Sequence, residues 1–212
     1  MNFKKVQSAE EIIAGDPLGE FFVWWDNISF EDISKLEECL KRAINENDIQ
    51  RFLQENPIFL IQHLGGGHGR WVIPKQRLGT EHVTDFIIGE RSSIGFEWQA
   101  VELESPNVPI FNKKGDPSRY LNHAIRQIQD WRAWLQRNQN YAARPKVESG
   151  LGLTDIVSTL PGLVLLGRRN NIDPLTNERR RQMVTDLNRN IHSYDFLVDC
   201  AKGRLESLLR SR

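Results

Sequence analysis

Residues 84–88 (TDFII) and 98–106 (WQAVELESP) decide the fold, and both carry acids inside apolar, β-branched and aromatic runs. Such runs suit strands, and the polar, turn-rich GERSSIG at 89–95 makes the pair a hairpin or two adjacent strands. Side chains alternate along a strand, so Glu102 and Glu104 project from one face, roughly 6.5–7 Å apart along it. Asp85 joins them from the neighbouring strand. Three carboxylates at one sheet edge repel one another unless positive charge lies between them, and a hard divalent cation with oxygen ligands supplies it. That grouping is the signature of a metal-dependent phosphodiesterase site. Acids on the outward face of a solvated hairpin, paired with Lys or Arg, produce the same spacing, so both readings stand at this point.

Around this pair, residues 71–78, 83–88 and 95–104 read as three successive strands. They follow Gly65-Gly66-Gly67-His68-Gly69, a break that lacks the Lys-Ser/Thr ending of a phosphate loop and is expected to form a flexible hairpin or a loop that approaches DNA. A helix is expected at 29–44, where Ile33, Leu36, Leu40, Ala43 and Ile44 share a stripe behind a Ser29–Asp32 capping box. A shorter one at 47–55 stops before Pro57, and Glu55 at its end is either a further site acid or a surface acid. Downstream, Asp116-Pro117 has N-cap and N1 chemistry for a long helix with Leu121, Ile125, Ile128, Trp131 and Leu135 as its apolar stripe. This helix should back the acid-bearing sheet, with Gln127 facing either the site or solvent. The apolar run at 163–167 reads as a buried strand whose exit carries Arg168-Arg169, and helices at 174–190 and 194–209 close the chain.

The 212 residues are long enough for one sizeable core. The expected organisation is an N-terminal extension over 1–29 and a single domain over 30–212. Phe21-Phe22-Val23-Trp24-Trp25 in the extension is too aromatic to stay exposed, and is expected to pack on the domain or on a partner subunit. No run approaches the ~18–20 apolar residues of a membrane span, and the start, MNFKKVQSAEE, lacks the apolar region of a secretory signal. Cys39 and Cys200 support neither a disulfide framework nor a thiolate zinc site, so the expected compartment is the cytoplasm. The five histidines share no metal-ligand spacing, and His123 reads as a structural residue.

A net charge of zero conceals a division: residues 1–106 hold 10 Lys/Arg against 18 Asp/Glu, whereas 107–181 hold 13 against 6. The acids are therefore followed by a basic half. A phosphate-binding surface would draw on Lys113, Lys114, Arg119, Arg126, Arg168 and Arg169, with Arg179-Arg180-Arg181 further off; solvated helix faces are the alternative.

An acid on one strand, then Glu-x-Glu or Glu-x-Lys on the next, then a helix, resembles the PD-(D/E)xK nuclease superfamily, with Asp85 and Glu102-Leu103-Glu104 in those places. Gln127-Ile128-Gln129-Asp130-Trp131 is similar to the Gln-hydrophobic-x-x-Tyr helix motif of its exonuclease-like members, with Trp131 in place of Tyr. More specifically, ENDIQRFLQENP at 46–57, VELESP at 101–106, HAIRQIQDWRAWL at 123–135, LVLLGRR at 163–169 and IHSYDFLVDCAK at 191–202 resemble the Shedu anti-phage nuclease family, over roughly residues 30–212. The resemblance implies an α/β (α+β) fold with a restriction-endonuclease-like core: a mixed central sheet flanked by helices, in αβββαβ order. It implies a metal-dependent DNA endonuclease or nickase in bacterial phage defence, usually a homo-oligomer, here a dimer or tetramer. Asp85, Glu102 and Glu104 would hold Mg²⁺, or Mn²⁺ in its place, with the Leu103 carbonyl as a further candidate ligand; Gln127 would complete the catalytic set. One departure matters. The superfamily commonly carries Lys where this chain has Glu104, which leaves the general base unassigned and turns attention to Lys75, Lys113 and Lys114. The departure also motivates a second expectation, a DNA-binding or regulatory module on a nuclease fold that no longer cuts. Neutral charge and the aromatic cluster motivate a third, an interaction scaffold.

Overall fold

The computed structural model describes residues 13–65, 68–172 and 174–211; the first twelve residues of the expected extension, and Gly66-Gly67 of the glycine-rich break, lie outside them. Helix α1 (Phe30–Arg42) forms where its local chemistry directs: the Ser29 hydroxyl accepts from the Asp32 N–H, the Asp32 carboxylate accepts from the Ser29 N–H, and Ile33, Leu36 and Leu40 are buried. Helix α2 (Glu46–Glu55) repeats the device with Asn45 and Asp48, and stops before Pro57.

The expected strand at 71–78 divides into β1 (Arg70–Pro74) and β2 (Arg77–Leu78), because Lys75 takes a left-handed conformation, φ 48°, that turns the chain. The run at 83–88 divides likewise into β3 (His82–Val83) and β4 (Phe86–Ser92), with Thr84-Asp85 between them. Strands β2 and β3 pair as a small ribbon. Strand β4 continues into the segment read as a turn: its register with β5 (Gly95–Leu103) runs out to Ser92 opposite Gly95, leaving only Ser93-Ile94 to reverse the chain. The polar residues there belong to an exposed hairpin tip, which is why they imitate a loop.

The long helix α3 (Arg119–Ala143) starts two residues later than Asp116-Pro117 suggested. Pro117 is tied to Phe111 by an isolated bridge and the Asp116 N–H donates to Asn112, so Ser118 becomes the cap, its hydroxyl accepting from the Leu121 N–H. After β6 (Gly162–Leu165) and α4 (Pro174–Leu187), residues read as helix and connection form a strand, β7 (Arg189–His192), before α5 (Asp195–Arg210). Strand order is β1-β4-β5-β6-β7, antiparallel from β1 to β5 and parallel from β5 to β7. The protein is thus a mixed α/β structure on a five-stranded sheet, with more elements than the αβββαβ order contains.

Alternation along β5 settles which side each residue faces. Trp98 and Ala100 pack in a core with Ile128 and Trp131 of α3, whereas Val101 and Leu103 pack with Leu36, Ile49 and Leu197 of α1, α2 and α5. Glu102 and Glu104 share the phase of Ala100, so they point to the α3 side. The aromatic segment packs on the sheet: the Val23 N–H donates to the Arg70 carbonyl, Phe22 meets Trp71 edge-on at 5.4 Å, and the Arg70 and Arg204 guanidiniums lie 5.3 and 4.9 Å from the Trp25 ring centroid. Among the described residues, no helix is long and apolar enough to cross a membrane.

Candidate functional site

The end of β5 is held from three directions. The Glu104 N–H donates to the Leu165 carbonyl of β6 at 2.9 Å, and the buried Tyr194 hydroxyl donates to the Glu104 carbonyl at 2.7 Å. Leu103 lies beyond the last β4 partner, and the Asp85 Oδ2 atom accepts from its N–H at 2.8 Å. The Leu103 peptide therefore presents an N–H to Asp85. The other carboxylate oxygen of Asp85 lies 2.7 Å from Lys75 Nζ, and the Lys75 N–H donates to the Asp85 carbonyl, so the turn that divides the expected strand delivers a cation to the acids.

Glu102 is only 4% exposed and hydrogen-bonds with Asp85 and Gln127. Burial, then the charges of Asp85 and Glu104, push its carboxyl up to about 9, while the Gln127 side chain opposes the shift. Without a cation, this shift favours the uncharged form of Glu102. Burial also raises Glu104, with His123 opposing and the charges of Glu46 and Asp85 adding to the rise. His123 Nδ1 lies 2.8 Å from Glu104 Oε1. His123 and Gln127 stand one turn apart on α3, so the i and i+4 positions of the helix meet the i and i+2 positions of the strand.

One ligand atom each from Glu102, Glu104 and His123 lies within 4.8 Å of the others. Two carboxyl groups crowded together with an imidazole form a donor set that fits a divalent cation, whose charge would favour the ionised form of both carboxyls. The oxygens suit Mg²⁺ or Mn²⁺, and the imidazole extends the range to softer metals. Among the residues expected at the site, Asp85, Glu102, Glu104 and Gln127 converge. With them stand Lys75, one of the three lysines the sequence offered as a positive charge for the site, and His123, which the sequence read as structural. The sequence signals for His123 are its place at the start of the long helix and its four-residue spacing from Gln127. Glu55 is exposed at the far end of α2, roughly 13 Å of helix from Glu46, whose charge does reach Glu104.

The expected cationic residues fall into three groups. Arg119 and Arg126 line a cleft of about 550 Å³ with Tyr120, Asn122, His123 and Glu104. Lys113 and Lys114 line a separate cavity of about 560 Å³ with Phe111 and Arg179. Gly115, at φ 85°, suits the turn there because L side chains rarely adopt that backbone conformation. Arg168 is engaged within the fold, donating from Nε and Nη2 to Asp195 and from Nη1 to the Leu40 carbonyl, and Arg169 pairs with Asp199.

Against known proteins, a family model described as Shedu protein SduA, C-terminal, matches residues 43–198. No curated protein matches the chain.

Proposed function

The chain belongs to the Shedu family, and from that premise we propose that it is a metal-dependent DNA nuclease of the PD-(D/E)xK type, acting in defence against bacteriophage. The observation that carries this reading is the convergence of Asp85, Glu102, Glu104 and Gln127 at the end of β5, beside a cleft with two arginines. Glu102 and Glu104, with Asp85, would hold Mg²⁺, or Mn²⁺ in its place. Bound there, the ion would stabilise charge on the scissile phosphate and lower the pKa of its water. The chain's own groups do the remainder. Gln127 orients Glu102, His123 orients Glu104, and Lys75 supplies the ammonium that the Glu104 position lacks, holding the attacking water beside Asp85. The water oxygen bonds to phosphorus as the bond to the leaving sugar oxygen breaks, the proton released by the attacking water passes to solvent, and the leaving oxygen takes a proton from solvent.

DNA phosphates would meet Arg119, Arg126, Lys113 and Lys114 first. Arg168 and Arg169 reach a phosphate only by releasing Asp195 and Asp199. A cytoplasmic homo-oligomer, dimer or tetramer, belongs to the same proposal.

The test is cleavage of supercoiled and linear plasmid by wild type and Glu102→Ala, each with Mg²⁺, Mn²⁺ or EDTA. Metal-dependent nicking or degradation that the variant loses while still folded is the expected result. Cleavage retained by a folded variant would remove Glu102 from the site. Intact DNA under all conditions, with salt-dependent binding, would favour the binding-only reading that Glu104 in place of Lys motivates.

A further inference from the structure

The cleft beside Glu104 is built unlike the other basic surfaces. Arg119, Asn122, His123 and Arg126 recur at i, i+3, i+4 and i+7 in the first turns of α3, so they line one helix face along it. The positive end of that helix, capped by Ser118, opens beside them, which favours a phosphate. Tyr120 completes the wall. The Arg119 guanidinium lies 4.7 Å from the Tyr120 ring centroid, and its Nη2 donates to the Tyr120 hydroxyl at 2.6 Å. Tyr120 is partly buried against the core and carries the guanidinium over its ring, so a planar cation backed by an aromatic ring faces solvent as one platform.

Paired duplex DNA keeps its base faces stacked inside and offers a nuclease only phosphates and groove edges. A flat aromatic–guanidinium platform matches base faces that have come out of the stack. Its position next to Glu104 and His123 puts such a base beside the candidate reaction centre. On the nuclease reading given above, we infer that this cleft receives one unstacked nucleotide next to the scissile phosphate. The base lies on the Arg119–Tyr120 platform, the phosphate turns toward Arg126, and the Asn122 amide, whose Nδ2 donates to the Pro117 carbonyl, offers its second N–H and its oxygen to the base edge. The substrate is therefore DNA with a single-stranded or melted segment.

Binding in EDTA tests this without requiring cleavage. Fluorescein-labelled 12-nucleotide single-stranded DNA, an abasic oligomer of the same length, and a blunt duplex are titrated against wild type, Tyr120→Phe, Tyr120→Leu and Arg119→Lys, with melting curves as the check on folding. The single strand should bind wild type about tenfold or more tighter than the abasic oligomer. Tyr120→Leu should lose about tenfold for the single strand while binding the abasic oligomer and the duplex as wild type does, and Tyr120→Phe should retain single-strand affinity. Arg119→Lys keeps the charge but not the plane, so its loss should be several-fold larger for the single strand than for the abasic oligomer and the duplex, and that ratio serves alone if the leucine variant fails to fold. Equal losses on all three ligands, or no loss on any, would overturn the inference. Platform-dependent single-strand binding without plasmid cleavage would sink the nuclease reading alone. Metal-dependent cleavage with binding indifferent to Tyr120 would sink only the unstacked-nucleotide inference.

Discussion

Without divalent metal, Glu102→Gln should stabilise the protein, and increasingly so as pH rises. Glu102 is 4% exposed, and burial, followed by the charges of Asp85 and Glu104, raises its pKa from 4.5 to about 9. In the unfolded chain the group ionises near its ordinary value, so across the window from 4.5 to about 9 the unfolded state has released a proton that the folded state retains. Folding then takes up a proton, and stability falls as pH rises, with a limiting slope of about 1.4 kcal/mol per pH unit. Between about pH 5 and pH 8 this amounts to about 4 kcal/mol, an upper bound because entering water and local rearrangement relieve part of the cost. Glutamine keeps the shape of the side chain and an uncharged donor toward Asp85, but has no proton to lose. Urea unfolding followed by tryptophan fluorescence across that range in EDTA would measure both proteins, and the stability difference should widen with pH in the variant's favour. Parallel stability profiles would refute the reasoning, since a group titrating alike in both states leaves no slope to remove. Adding Mg²⁺ should flatten or reverse the wild-type slope, because a cation favours the ionised carboxylate.

Two further substitutions separate chemistry from architecture. Lys75→Met removes the ammonium 2.7 Å from Asp85 while keeping the stem, and plasmid cleavage should fall by about two orders of magnitude with DNA binding preserved; unchanged cleavage would leave Lys75 only its turn. Tyr194→Phe takes away the buried donor to the Glu104 carbonyl and should cost about 1–3 kcal/mol in urea unfolding. A loss of only a few tenths would mean that the carbonyl finds another donor.

Short-range chemistry was legible in the sequence. The Ser29–Asp32 box spans three residues and starts α1 where expected, and the stripe through Leu121, Ile128, Trp131 and Leu135 predicts the buried face of α3. Strand alternation puts Glu102 and Glu104 on one face, and they are found there on the α3 side. These signals survive because they depend on neighbours within about four residues, whose relation the backbone geometry sets directly. Strand β7 carries no such signal: Ile191 is the one aliphatic residue in Arg189–His192, and the strand exists because β6 offers a parallel edge.

The candidate site divides in the same way. The sequence by itself determined that Glu102 and Glu104 share a face and put Asp85 beside them from the neighbouring strand, and the resemblance of its motifs pointed to Gln127 as their companion. Only the tertiary structure decided that Lys75, ten residues from Asp85, neutralises it, that His123 meets Glu104 across nineteen residues, and that Arg168 is spent on Asp195. The physical reason is that a buried charge takes whichever partner the packed sheet and helices bring within hydrogen-bond reach. That proximity is set by β4, β5 and α3 coming together, and no local pattern of residues encodes it.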